Sequence, residues 1–349
     1  MKIEYDFSKI KITPLLETLK LESIDDSVYF SEKYSNYISN SRLGLLLKYG
    51  AKEFFEGLGA NKEFSSSLSL GSALHQLVLQ PDSYHLVESV NRPTAKAGLM
   101  ADYLYNPSGI TPSDEQIIEA SDAVGYYKGK MSEKKIKDLR EKCNEYWRSR
   151  AIYEKGKEPS EKEDIFIDEK SKNTIRLCLE EINNNKNFQT LLHPEGLLEK
   201  PISENEKAIL LDIMVTMPES KEPIIYKLKS KLDNFTIDKE SNVITVNDLK
   251  TTSKILPEFP GVIDFFHYDR EIAMYSYLLK LCAEKFYGLK DCTTKGNFLV
   301  VETIPKYYTQ VFPMTKELYK RGLHEFLYLL KCVAYFNVIE GFKFADTNV

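Results

Sequence analysis

Apolar positions change their period near residue 195. Before that point they recur at helical spacing. Residues 42–50 and 52–56 predict a helix broken near Gly57 and Gly59. A serine-rich stretch, residues 65–69, leads into a second helix that begins near Gly71 and ends at Pro81. Residues 114–124 have helical apolar spacing, with Ser113 or Asp114 as the cap. Residues 131–153 form a long charged amphipathic pattern, and residues 170–192 predict a further helix stopping at Pro194. After 195 the chain turns to short β-branched runs at 196–203, 208–215, 224–233 and 243–248. Polar turns at 219–223 and 238–242 separate the later runs, so the pattern reads as a meander. A helix over about 265–286, strands at 297–303 and 308–312, and a closing helix over 315–336 complete it. The expected organisation is a helical N-terminal region, residues 1–190, and an α/β core with a mixed sheet, residues 191–349.

Composition narrows the function classes. The 349 residues carry 47 basic and 52 acidic side chains, a net charge of −5, with 42% hydrophobic residues. That is ordinary for a globular protein and argues against disorder, collagen or coiled coil as the main state. No apolar run approaches the roughly 18 residues of a membrane helix. Residues 1–6 lack the apolar core of a signal peptide, so a cytoplasmic protein without a membrane partner is expected. An acidic total leaves room for nucleic acid only on a local basic surface. Of the cations, 8 are Arg and 39 are Lys, a bias toward point charges suited to phosphate. The five cysteines (143, 178, 282, 292 and 332) are odd in number and widely spaced, which argues against a disulfide framework, a zinc ribbon or an iron–sulfur cluster.

The chemistry-bearing segment is Lys229-Ser-Lys231-Leu-Asp233, followed by Asp248-Leu249-Lys250-Thr251. Residues i and i+2 of a strand point to one face, so Asp248 and Lys250 project together, and a hairpin can bring Asp233 beside them. Two carboxylates and an amine at a strand end suit a hard cation such as Mg²⁺ and a phosphate substrate. An exposed ion pair at a strand end is the plainer reading of the same residues. Lys227, Lys229 and Lys231 alternate on one strand face, which reads equally as a phosphate track or a solvated surface. Tyr268, Tyr275 and Tyr277 have the chemistry to stack on an unpaired base, although Tyr275 with Ile272 and Leu279 has core spacing. Glu199 is a candidate extra carboxylate, with surface solvation as its alternative. No phosphate-binding glycine loop is present.

The arrangement Asp233…Asp248-Leu-Lys250-Thr-Thr resembles the core motif of the PD-(D/E)XK nuclease superfamily, in particular the RecB-like branch that contains exodeoxyribonuclease VIII. Further segments follow in order. Tyr37-Ile-Ser39-Asn-Ser41-Arg-Leu resembles that branch's serine-rich opening, and Ser69-Leu-Gly71-Ser-Ala-Leu-His75 its glycine–histidine helix. His267-Tyr-Asp-Arg-Glu271-Ile-Ala-Met-Tyr275 resembles its Gln-x-x-x-Tyr helix, with Glu271 where relatives carry Gln. The strand from Phe298 to Glu302 also fits. The resemblance implies a restriction-endonuclease-like core with a mixed central sheet flanked by helices. It implies catalytic Asp233, Asp248 and Lys250, and Mg²⁺ (or Mn²⁺) held by His75, Asp233, Asp248 and the Leu249 carbonyl. Glu271, Tyr275, Thr251 and Lys231 are expected as supporting or DNA-contacting residues. The implied activity is an exonuclease on double-stranded DNA ends, of the phage or prophage recombination type, with a single-strand annealing partner and a ring-shaped homo-oligomer. A structure-specific endonuclease and a catalytically weak DNA-binding component are the alternatives. Glu271 either faces the site, adding negative charge, or lies on a solvated helix face.

Overall fold

The computed structural model describes residues 5–56, 70–88, 91–127, 131–158, 160, 162–196, 200–220 and 222–344. The serine-rich stretch 65–69, the glycines at 57 and 59, and Glu199 lie outside them. Two compact units are present. One comprises Met1–Asn61, Ile182–Glu302 and Tyr308–Val349; the other comprises Lys62–Glu181 and Thr303–Tyr307. In chain order the strands are β1 (Lys11–Ser23), β2 (Tyr84–Glu88), β3 (Glu163–Ile167), β4 (Ile202–Thr216), β5 (Ile224–Asp238), β6 (Val243–Thr252), β7 (Thr293–Glu302) and β8 (Thr309–Pro313).

The first unit is built on a mixed six-stranded sheet of order β1-β4-β5-β6-β7-β8. β4, β5 and β6 form the expected antiparallel meander. β6 and β7 are parallel, which requires a crossover, and the Phe259–Phe266 and Tyr268–Tyr287 helices supply it. The Tyr268–Tyr287 helix and the closing Lys316–Val338 helix flank the sheet. Met274, Leu278, Phe326 and Leu330 share one core with Leu211 and Phe235 of the strands. Burying this apolar surface fixes the register of the strands, because a slip of one residue would turn every core side chain outward.

Three expectations are corrected. The N-terminal 190 residues are not a separate helical region: β1 pairs antiparallel with β4, so Met1–Asn61 folds with the α/β unit. β1 carries Pro14 and an irregularity between Leu15 and Lys20, both tolerated because it is an edge strand. Residues 170–192 make two helices, Glu169–Asn184 and Lys186–Leu192, because Asn185 caps the second by accepting the Asn187 and Phe188 N–H groups at 3.0 and 3.2 Å. The helix expected over 265–286 is likewise two, divided at His267, whose φ of 55° is left-handed.

The second unit is mainly helical. The parallel pair β2–β3 is its sheet, and Met100, Ile117, Leu139 and Tyr146 lie at its centre. Of the two candidate caps, Ser113 is the one used, and it forms a capping box with Gln116. The Leu70–Leu79 helix carries His75. No helix among the described residues is long and apolar enough to cross a membrane.

Candidate active site

The site forms where β5 and β6 part. Their ladder runs from Asp238 opposite Val243 to Asn234 opposite Asn247. Asp233 and Asp248 are next in that register, at the mouth of the opening. There the Asp233 carboxylate accepts the Leu249 backbone N–H at 2.7 Å. A side chain thus satisfies the backbone group that a continuing ladder would have paired. The Leu249 side chain itself is fully buried in the core.

Lys250 stands two residues beyond Asp248 on the same face. Its Nζ lies 2.7 Å from Asp248 and 3.1 Å from Glu271, and 4.7 Å above the ring of Tyr268. Glu271 therefore faces the site, and the Tyr275 hydroxyl donates to its other oxygen at 3.1 Å. The spacing Glu271-x-x-x-Tyr275 makes that contact possible, since i and i+4 are neighbours on a helix. The i, i+2 spacing on β6 does for Asp248 and Lys250 what sequence reasoning expects.

Negative charge exceeds positive here. Burial pushes the Asp233 carboxyl up to about 7; Lys250 and the Leu249 N–H pull against this, while Glu206 and Glu271 add to it. Burial also raises Asp248 well above the usual carboxylate range, against the pull of Lys250 and with the repulsion of Glu271 and Asp233. Burial would lower Lys250, but the carboxylates of Asp248, Glu271 and Asp233 outweigh it and raise the ammonium well above its ordinary value. A bound cation would relieve this surplus, and buried carboxyl oxygens are the ligands a hard divalent ion takes. The donor set fits one.

The sequence reading did not single out Glu206. It lies on β4, and a carboxylate oxygen of Glu206 is within 4.8 Å of one on Asp233. Its φ of 53° breaks the regular strand conformation. The Glu204-Asn205-Glu206-Lys207 run, polar inside an otherwise apolar strand, is the signal that marks it. Lys231 sits 2.8 Å from Glu206 and 2.5 Å from Asp26. Lys227 is exposed, whereas Lys229 is buried and donates to the Tyr29 carbonyl at 2.8 Å. Burial and the nearby charge of Arg42 lower the Lys229 ammonium to about 8. The three lysines thus occupy three different settings, not one open phosphate track. Thr251 falls on the opposite face of β6 from Lys250, because side chains alternate, and is not brought into the cluster. His75 is half-buried on its helix in the second unit. His267 pairs with Glu325 at 3.0 Å.

A row of asparagines supports the site. Asn205, Asn234, Asn247 and Asn297 lie at one level across β4, β5, β6 and β7. Asn234 donates to Asn205 at 2.7 Å, Asn247 to Asn234 at 2.7 Å, and Asn297 to Asn247 at 2.9 Å. The second amide hydrogen of Asn247 goes to the Leu191 carbonyl at 3.1 Å. Asn234 follows Asp233 and Asn247 precedes Asp248, so the row runs beneath both carboxylates on the opposite face. The two central amides, Asn234 and Asn247, both donate and accept, so their desolvation is offset within the row, which fixes the strands immediately below the opening.

No family model and no curated protein matches the chain. A solved structure from Eubacterium rectale, provisionally described as an exonuclease, is similar over 92% of this chain and 88% of its own, with 11% identity and a TM-score of 0.43.

Proposed function

We propose that this chain is a divalent-metal-dependent deoxyribonuclease with a restriction-endonuclease-like core, degrading linear double-stranded DNA from its ends. The observation that carries this reading is the meeting of Asp233 and Asp248 with Lys250 where β5 and β6 separate. Asp233 and Asp248 would hold Mg²⁺, or Mn²⁺ in its place; the resemblance adds the Leu249 carbonyl and His75, and Glu206 is a further candidate. When bound, the ion supplies Lewis acidity toward a phosphodiester.

The chain's own residues do the rest. Asp233 spans the strand opening through the Leu249 N–H and so fixes the distance between β5 and β6. Lys250 presents a held positive charge to the phosphate as negative charge develops. Glu271 and Asp248 hold that ammonium from two sides, Tyr275 holds Glu271, and the ring of Tyr268 lies under the cation. Lys231, between Asp26 and Glu206, restrains the Glu206 carboxylate beside Asp233. An annealing partner, a recombination role and a ring-shaped assembly follow from the family resemblance.

The test is a time course on end-labelled linear duplex beside a covalently closed circle, in Mg²⁺, Ca²⁺ and EDTA. The expected result is loss of the linear DNA in Mg²⁺ alone and survival of the circle. Cutting of the circle would shift the reading to an endonuclease. Folded protein that binds DNA and cuts neither substrate would shift it to a DNA-binding component. Robust cleavage in excess EDTA would remove the metal from the mechanism.

A further inference from the structure

Two adjacent phenylalanines stand in solvent beside the site. Phe265 is 77% exposed and Phe266 54% exposed. Single exposed apolar side chains are common, but a contiguous aromatic pair is a costly surface feature that calls for an occupant. The Phe259–Phe266 helix does not need them for anchorage. Phe259 and Ile263 already bury that helix against Leu256, Ile272, Phe298 and Val300.

The pair is joined to the site by ring contacts. The left-handed His267 ends one helix and starts the next, and this turn sets Phe266 against Tyr268, with centroids 5.5 Å apart and planes 18° from parallel. Phe265 meets Phe266 edge-on at 4.8 Å and 84°. Tyr268 is held from the core by Phe259 and Phe298, each at 6.3 Å, and Lys250 lies over its ring at 4.7 Å. A row of aromatic rings therefore runs from solvent to the ammonium that faces the substrate phosphate. The neighbouring carboxylate, Asp264, is paired with Arg321 at 2.6 Å, a guanidinium it shares with Asp269 at 2.6 Å, and this pairing offsets part of its repulsion toward an approaching strand.

Resting on the nuclease reading above, we infer that Phe265 and Phe266 are a stacking platform for an unpaired nucleobase, on a nucleotide adjoining the one whose phosphate lies at Lys250. Every base has a π face, so the platform would be indifferent to sequence and would hold a strand opened next to the cut. Phe266 continues the Tyr268 stack under the base, and Phe265 closes one edge.

The test uses fluorescent duplexes with a single-stranded tail, bound in Ca²⁺ without Mg²⁺, with one abasic nucleotide stepped along the strand. The parent protein should lose affinity about tenfold at one position of the abasic site. F265A/F266A should lose a similar factor on the intact strand and become insensitive to the abasic site at that position. F266W should keep parental binding and sensitivity. F265A alone removes a ring that stands mostly in solvent, so it tests the idea without disturbing the core, and about a threefold loss is expected. A parent protein that binds and cuts DNA but has no sensitive position overturns the platform alone. So does a folded double variant that binds as the parent does. A parent that binds none of these DNAs overturns the nuclease reading and the platform with it.

Discussion

Each unit contains a cluster of charged and polar groups drawn in from solvent, and the two are composed in opposite ways. In the helical unit one carboxylate, Asp102, meets an excess of donors. Arg92 reaches it at 2.6 Å, the Tyr146 hydroxyl donates to it at 2.6 Å, and Arg150 stands at 3.8 Å. Arg150 is itself paired with Glu154 at 2.8 Å and packed over the rings of Tyr105 and Phe166. In the α/β unit the proportion is reversed: Asp248, Glu271 and Asp233 draw on one ammonium, Lys250. A buried carboxylate so fully met by donors orients helices and leaves no deficit of positive charge for a cation to fill. A cluster with surplus carboxylate is stable only with protons or a cation, and that deficit is the chemical capacity of the site.

The comparison is broken most decisively at its charged centres. Asp248→Ala and Lys250→Ala should each cut nuclease activity about a hundredfold or more, in protein whose circular dichroism is unchanged, since each removes a group that acts on the reacting phosphate. Cleavage by either variant at the parental rate would dismiss the site. Asp102→Ala should do the reverse. Leaving Arg92 buried without its partner should cost about 3 kcal/mol in denaturant unfolding, with the activity of the remaining folded protein preserved. A loss below about 1 kcal/mol would show that the cluster does not hold that unit together.

Protons and metal sharpen the contrast. Asp233 is raised to about 7 in the folded protein from an ordinary value of 3.8. A raised acid favours the folded state below its unfolded value, and that contribution is lost as pH rises through the folded value. In EDTA, Asp233→Asn should therefore gain stability relative to the parent as pH climbs from about 4 to about 7, then level off, by about 2 °C or more in Tm. Mg²⁺ at pH 7.5 should raise the parent's Tm and leave the variant's almost unchanged. A pH-independent difference would mean that Asp233 does not carry the charge deficit. The smallest effect is expected at Glu271. Glu271→Gln keeps the shape and removes one anion beside Lys250, so the Mg²⁺ concentration for half-maximal rate should move several-fold at fixed ionic strength. No movement would reduce Glu271 to a support for Lys250 by hydrogen bonding alone.

Local periodicity carried much of this protein into view. Once residues 243–252 form a strand, alternation alone places Asp248 and Lys250 on one face. The meander β4–β5–β6 and the closing helix follow from β-branched runs, polar turns and helical spacing in the same way. Ser113 and Asp114 could be named as the candidate caps because helical spacing begins just after them, and the reciprocal bonds with Gln116 select Ser113. These features depend on neighbours close in sequence, and the sequence by itself determined them.

Tertiary structure alone decided the rest, because the partners are far apart along the chain. β1 joins the sheet through pairing with residues about 200 positions later, and its own pattern, interrupted by Pro14, does not announce it. The asparagine row exists only because three strand registers bring residues 205, 234, 247 and 297 to one level; a slip of one residue in any strand would send its amide to the other face. Whether Glu271 faces solvent or Lys250 depends on how the Tyr268–Tyr287 helix is rotated against the sheet, which core packing settles. Glu206 comes to Asp233 through a left-handed backbone that no propensity of glutamate favours. Charge balance belongs to the same class. The sequence counts the carboxylates, but only folding decides which of them must share a single lysine.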